Sequence, residues 1–307
     1  MRSVEIPTPE GPLHALRFGP AQPGDGKVVL AAHGITASAM SFVAVARALP
    51  ADWTLIAVDL RGRGRSSALP GPFGMDRHAE DLAAVAKHFP QPMVLTGQSM
   101  GAYAALRAAA RFPSLFVHLV LIDGGLPLPV PAGADPAAVL AATVGPAVAR
   151  LRMTFPSEAA YVDFFRSHPA LAASWNDDLA AYVRYDVAGE PGSIRSRVNP
   201  DAVAADGRDL LAGAAAFGAD LRSLRLPAHL LYAPRGMLGQ EPGMLPQPLV
   251  DQWTRQSPLT ARLVADCNHY TILTDPVAAD QVARALVDTC EWPRPDCAAC
   301  PTGRTPA

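Results

Sequence analysis

Four short segments, "KVVLAAHG", "WTLIAVDL", "PMVLTG" and "HLVLID", are almost wholly apolar and too short for helices. A strand with one wet face alternates apolar and polar residues, whereas a strand covered on both faces is apolar throughout. Between these segments lie stretches with helical spacing, "AMSFVAVARALP" and "DRHAEDLAAVAKHF", and a further helix opens at Ser99. This alternation predicts an α/β fold: a mostly parallel central sheet with helices on both faces. "RSVEIPTP" and "LHALRFG" read as an opening pair of strands around a Glu-Gly-Pro turn. Crossovers in such sheets are right-handed, and ligands gather beyond the carboxyl ends of the strands.

The pattern breaks after Asp123. Helical segments then follow one another without a clear strand, among them "AAVLAATVGPAVARLRM", "EAAYVDFFRSH" and "WNDDLAAYVRYDV". Alternation resumes with "AHLLYAP", "QPLVDQWTRQ", "ARLVAD" and "PVAADQVARALVDTC". The expected organisation is a sheet domain over residues 1–126 and 225–290, a helical insertion over 127–224, and a flexible tail over 291–307. No internal repeat is evident.

Composition bounds the function. The chain has 307 residues, half of them hydrophobic, and a formal net charge of −2, enough for one large core and a subdomain. Lysine is scarce and arginine scattered, so no nucleic-acid partner is expected. The N-terminal segment lacks the apolar core of a signal peptide, and no run approaches the ~20 apolar residues of a membrane span. The expected partner is a small-molecule substrate, in the cytoplasm, with homo-oligomerisation left open. Cys290, Cys297 and Cys300 crowd the proline-rich C-terminal segment. Three thiols without a nearby histidine fall short of the four ligands of a closed zinc site, so no metal is assigned.

In "VLTGQSMGAYAAL" a buried strand ends at Gly97 and a helix begins at or just after Ser99. Ser99 is thereby lifted into a sharp turn, where a side chain at position 97 or 101 would collide with neighbouring backbone. The helix directs its first N–H groups at the same spot, so the N–H of Met100 faces an oxyanion formed on a carbonyl attacked by Ser99. Such a serine needs a base. Of eight histidines, His14, His78, His88, His118, His168 and His229 carry no motif and read as structural. His269, in "NHYTIL" beyond the last strand, is placed to serve as general base. His33 opens "HGITAS" and is expected to stiffen its own loop, leaving the N–H of Ile35 as second oxyanion donor.

"HGITASAMSF", "DLRGRGRS", "GQSMGA" and "NHYTIL", in this order, resemble the α/β-hydrolase family over about residues 5–126 and 225–290. The resemblance implies Ser99 as nucleophile, His269 as catalytic histidine, Ile35 and Met100 as oxyanion-hole donors, and the insertion as a lid or cap. Asp59 and Arg61 match a turn that is largely structural in the family. The third triad member departs from the family's commonest pattern: "LLYAPRGMLGQEPG" has no aspartate where many relatives place one. Asp123, at the end of "HLVLID", and Glu241 are the two substitutes. Asp123 is favoured because a strand end holds a side chain more rigidly than a loop. The expected function is hydrolysis of a small to medium ester or lactone through an acyl-enzyme on Ser99, with no cofactor. Amide or carbon–carbon hydrolysis, and a non-catalytic binding protein, are the alternatives. Ser99 argues against a haloalkane dehalogenase, which needs an aspartate nucleophile. Phe155, Tyr161, Phe164, Phe165, Trp175, Tyr182 and Tyr185 in the insertion serve as core or as pocket lining.

Overall fold

The apolar segments are strands of one eight-stranded sheet in the order β1-β2-β4-β3-β5-β6-β9-β10. They span β1 (Arg2–Ile6), β2 (Leu13–Phe18), β3 (Val28–Ala32), β4 (Thr54–Val58), β5 (Met93–Gln98), β6 (Phe116–Ile122), β9 (Ala228–Tyr232) and β10 (Leu259–Leu263). β2 runs antiparallel to β1 and β4, and every pairing from β4 to β10 is parallel. The computed structural model describes residues 1–21, 27–128 and 147–287, with Gly133, Ala138, Val139 and Gly145 between the last two. The tail with Cys290, Cys297 and Cys300, and most of the expected helix before Ala147, lie outside the described residues.

The central strands β3, β4, β5 and β9 are buried at every position, in keeping with their mostly apolar sequence. The edge strand β10 is buried only at Leu259. Beside helical residues at 147–150, the helices are α1 (Val43–Ala48), α2 (Met75–Ala86), α3 (Met100–Arg111), α4 (Glu158–Arg166), α5 (Asp177–Tyr185), α6 (Pro200–Ala212), α7 (Ala214–Ser223), α8 (Gln247–Gln256), α9 (Thr271–Thr274) and α10 (Pro276–Val287). Successive strand residues face opposite sides. Leu30 and Leu95 join the core under α2, α3, α7 and α8, while Val29, Ala31 and Val94 join the core under α1 and α10.

Three details differ from the sequence reading. "AMSFVAVARALP" is a 3-10 turn, Ala39–Phe42, followed by the short α1. The last strand stops at Leu263 rather than reaching Asp266: Val264 N–H still donates to Tyr232 O at 2.9 Å, but the next residue of its partner on that side, Pro234, has no N–H to continue the ladder. Within the expected all-helical stretch, β7 (Val187–Ala188) and β8 (Arg195–Ser196) form a two-residue ribbon. Two residues are too few to display a strand period in sequence.

The helices α4 to α7 are fastened over the carboxyl edge of the sheet by polar side chains. Tyr185 Oη donates to Asp59 Oδ2 at 2.7 Å, Asn176 Nδ2 to Thr274 O at 3.0 Å, and Arg63 pairs with Asp206. Asp59 also accepts the N–H groups of Ala39 (2.8 Å) and Arg65 (3.0 Å) and meets His14 Nδ1 at 2.9 Å. Arg61 is buried on Asp81 and the Pro70 carbonyl, so both residues act in packing the turn. Among the described residues no helix is long and apolar enough to cross a membrane.

Candidate active site

Sheet register sets the site. Ala32 lies opposite Gly97 and Gln98 opposite Ile122. Ser99 and Asp123, each one residue further on, therefore leave adjacent strands side by side. The Ser99 N–H donates to Ile122 O at 2.9 Å, and the Asp123 N–H to Leu231 O at 2.7 Å. Both residues hold positive φ, 55° at Ser99 and 45° at Asp123. Backbone in that region is disfavoured for side-chain-bearing residues and persists only where the surroundings impose it. The imposition is visible at the two flanking glycines: a Cβ on Gly97 would sit 2.0 Å from the Gly101 carbonyl oxygen, and one on Gly101 2.1 Å from that of Ala32. α3 begins at Met100, whose N–H, as the first of the helix, has no carbonyl within the helix to bond.

His269 arrives from the loop after β10. Its N–H donates to Arg235 O at 3.0 Å, and the preceding Asn268 Oδ1 accepts from Tyr270 and Thr271 N–H at 3.0 and 3.1 Å, pinning the turn into α9. The imidazole Nδ1 lies 2.6 Å from Asp123 Oδ2, while Asp123 Oδ1 takes the Ala233 N–H. Gln98 Nε2 donates to the His269 carbonyl at 2.9 Å and stands 3.3 Å from the ring Nε2. These contacts select one tautomer. A carboxylate can only accept, so Nδ1 carries the proton, and Nε2 keeps its lone pair toward the amide of Gln98. An imidazole so held can take a proton at Nε2. The structure brings Asp123 to His269; Glu241 is exposed at the surface beside Pro242 and Leu263.

The loop after β3 closes the other side. A Cβ on Gly34 would lie 3.4 Å from Ser99 Cβ, so Ile35 and its N–H are held close to the serine. His33 is fully buried; Nδ1 donates to Gly34 O at 2.8 Å and Nε2 accepts the Leu60 N–H at 3.0 Å. Arg63 Nε donates to Ile35 O at 3.0 Å from the far side. The loop thus rests on two buried side chains.

Burial lowers the His33 pKa to about 4. The unfolded chain protonates near its ordinary value of about 6.5. Between those values the unfolded state binds more protons, so the His33 contribution to stability is complete above about pH 6.5 and falls as pH drops toward about 4. The full loss is about 3 kcal/mol. Denaturant unfolding measured from pH 7 to pH 4.5 is expected to show this decline, with a shallower slope in His33→Gln. Equal slopes would assign the acid sensitivity to other groups.

A cavity of about 400 Å³ opens above Ser99 and is lined by Ser99, His269 and Asp123 together with the Ile35 and Met100 loops. The aromatic residues of the helical segment divide. Phe164, Phe165 and Tyr182 line the cavity, whereas Phe155 and Tyr161 are buried with Val162, Val183 and Ile194, and Trp175 packs on that cluster. Tyr185 goes to Asp59. Two carboxylates of the helical segment are paired away from the cavity: Asp178 with Arg47 at 2.7 Å and Glu158 with Arg184 at 3.3 Å. Two side chains at the site escaped the sequence reading. Gln98 sits inside "GQSMG", yet its contact with His269 depends on a residue 171 positions away. Arg150 lines the cavity from the helical segment, and its only sequence signal, a cation in the apolar run "GPAVARLRM", is shared with Arg152. Among the described residues no group of His, Cys, Asp and Glu could hold a metal ion.

Comparison with known proteins agrees with the fold. The chain is 34% identical over 101 residues to a 2-(acetamidomethylene)succinate hydrolase of Mesorhizobium japonicum, an alignment covering 33% of this chain and 36% of that one. It is 34% identical over 117 residues to the lipase LipV of Mycobacterium tuberculosis, covering 38% and 43% respectively. The matched stretches thus span less than half the length of these curated relatives. The crystal structure of an E-2-(acetamidomethylene)succinate hydrolase superposes with a TM-score of 0.76 at 20% identity, over 93% of this chain and 98% of that one. Residues 27–186, more than half of the chain, match the sequence model of the α/β-hydrolase fold, and the chain belongs to that family.

Proposed function

We infer that the chain is a serine hydrolase that cleaves a small to medium carboxylic ester or lactone through an acyl-enzyme on Ser99, with the helices over the carboxyl edge acting as its cap. The observation that carries this reading is the imidazole of His269, bonded through Nδ1 to Asp123 and lining the same cavity as Ser99. In the proposed first step Ser99 Oγ takes the place of the long Gln98 contact at Nε2, gives up its proton there and attacks the substrate carbonyl. The oxyanion is met by the N–H groups of Ile35 and Met100, each of which would be worth about 3 kcal/mol of barrier. The imidazolium, held by Asp123, returns its proton to the leaving alcohol; water, deprotonated at the same nitrogen, then releases the acid. This chemistry needs no metal or organic cofactor. The lipase among the relatives supports ester cleavage, and the succinate hydrolase supports keeping amides in view.

The test is a panel of chromogenic esters of increasing acyl length, lactones and aminoacyl anilides, with Ser99→Ala as control and covalent labelling by a fluorophosphonate alongside. Ester or lactone turnover and labelling at Ser99 are expected. Hydrolysis confined to anilides would replace the esterase reading with an amidase; absence of both labelling and turnover would leave a binding protein.

A further inference from the structure

We propose that the cavity binds substrates bearing a free carboxylate, and that Arg150 is the group that recognises it. This rests on the hydrolase reading above and specifies its substrate class.

Arg150 supplies the one guanidinium or ammonium group among the described residues that line the cavity. It is 5% exposed. Its position is over-determined on one side. Nη1 donates to Tyr161 Oη at 2.5 Å and to Asp186 Oδ2 at 3.1 Å, and the guanidinium lies 4.9 Å above the Phe165 ring. Asp186 is itself saturated by the Tyr161 hydroxyl (2.5 Å), Ser196 Oγ (2.7 Å) and the Arg197 N–H (3.2 Å). The other side of the guanidinium is under-used. Among the described residues Nη2 has a single long contact, 3.5 Å to Thr36 O. Nε–H and Nη2–H form the edge of the fork that grips a carboxylate through two parallel hydrogen bonds.

A purely structural role accounts for this arrangement poorly. A buried ion pair contributes little net stability compared with apolar packing of the same volume, so stability alone gives no reason to place one against an apolar cavity. The location adds a second indication. Thr36, which Nη2 touches, follows Ile35, so the Nη2 side of the fork lies beside the loop that faces Ser99. A carboxylate bound there is joined to the scissile carbonyl by a short spacer, as in half-esters of small dicarboxylic acids. The other carboxylate in the cavity wall, Asp123, is turned to His269 and Ala233 and does not compete for the cation.

The experiment compares monomethyl and dimethyl esters of succinate, glutarate and adipate, titrated by NMR against the Ser99→Ala protein. At least one monoanion is expected to bind tenfold or more tightly than its neutral diester. Arg150→Gln in the same background should bring the pair to parity, and Arg150→Lys, which keeps the charge and loses the fork, should recover part of the preference. Should Arg150→Gln unfold with Asp186 left unpaired, Arg150→Gln combined with Asp186→Asn removes the stranded carboxylate and gives the same readout. Equal binding of monoester and diester, or a preference that survives loss of Arg150, overturns the proposal. Turnover of the same esters by the unaltered protein separates the two readings. An anion preference without turnover counts against hydrolysis alone, and turnover without anion preference counts against the Arg150 assignment alone.

Discussion

Replacing Ser99 with alanine is expected, on the proposed mechanism, to lower kcat on the substrate turned over best by about 10⁴- to 10⁶-fold, while the thermal midpoint moves by no more than about 2 °C. The two halves of this expectation have separate causes. The strained backbone at Ser99 is imposed by neighbouring main chain, through the close approach of Gly97 to Gly101 and of Gly101 to Ala32, and an alanine at φ 55° is no worse placed than a serine. The proposed oxyanion donors are backbone groups and also survive. What disappears is the covalent route, and with it the splitting of one difficult displacement into two easier ones. Activity retained above about a tenth of the original would mean that another nucleophile, or directly activated water, carries the reaction. Binding of intact ester by the variant, measured at equilibrium, separates loss of chemistry from loss of the cavity.

The elements nearest the site were the easiest to read from sequence, and the reason is locality. A strand buried on both faces shows itself within five or six residues, and the glycines around Ser99 clash with main chain only a few residues away in the same turn or in the adjacent strand. Boundaries failed where a distant partner decides them. β10 ends where its partner offers Pro234, which has no N–H to donate, and nothing in "ARLVAD" records that. The acid shows the same limit. Asp123 and His269 are 146 residues apart, and sequence could say only that one ends a strand and the other follows one. Arg150 and Gln98 are harder still, because each takes its role from partners on other elements. A lone arginine in an apolar helix reads alike whether it faces water, a core carboxylate or a ligand. Aromatic residues at helical spacing carry the same ambiguity, which the structure resolves by sending Phe164 and Phe165 to the cavity and Phe155 and Tyr161 to the core.

Asp123→Asn is expected to reduce kcat by about 10⁴-fold with the fold preserved. Asparagine tolerates the positive φ at this position better than most residues, so the strand end keeps its shape. The damage is to the proton inventory. In the parent protein both carboxylate oxygens accept, one from Ala233 N–H and one from His269 Nδ1–H. An amide has a single acceptor oxygen. If that oxygen stays with the buried Ala233 N–H, the amide nitrogen faces Nδ1 and donates to it, which moves the imidazole proton to Nε2 and leaves no lone pair there for the serine. If the oxygen turns instead to Nδ1, the useful tautomer survives, but the amide NH₂ meets the Ala233 N–H, two donors in contact, and the imidazolium loses its counter-charge. On the proposed mechanism, either outcome removes the group that receives the Ser99 proton or the charge that stabilises it afterwards. Glu241→Gln, changed at an exposed residue, is expected to keep activity within about twofold of the parent. The two variants measured together therefore decide which acid orients His269: an inactive Glu241→Gln beside an active Asp123→Asn would reverse the assignment and require the loop before Pro242 to fold inward during turnover.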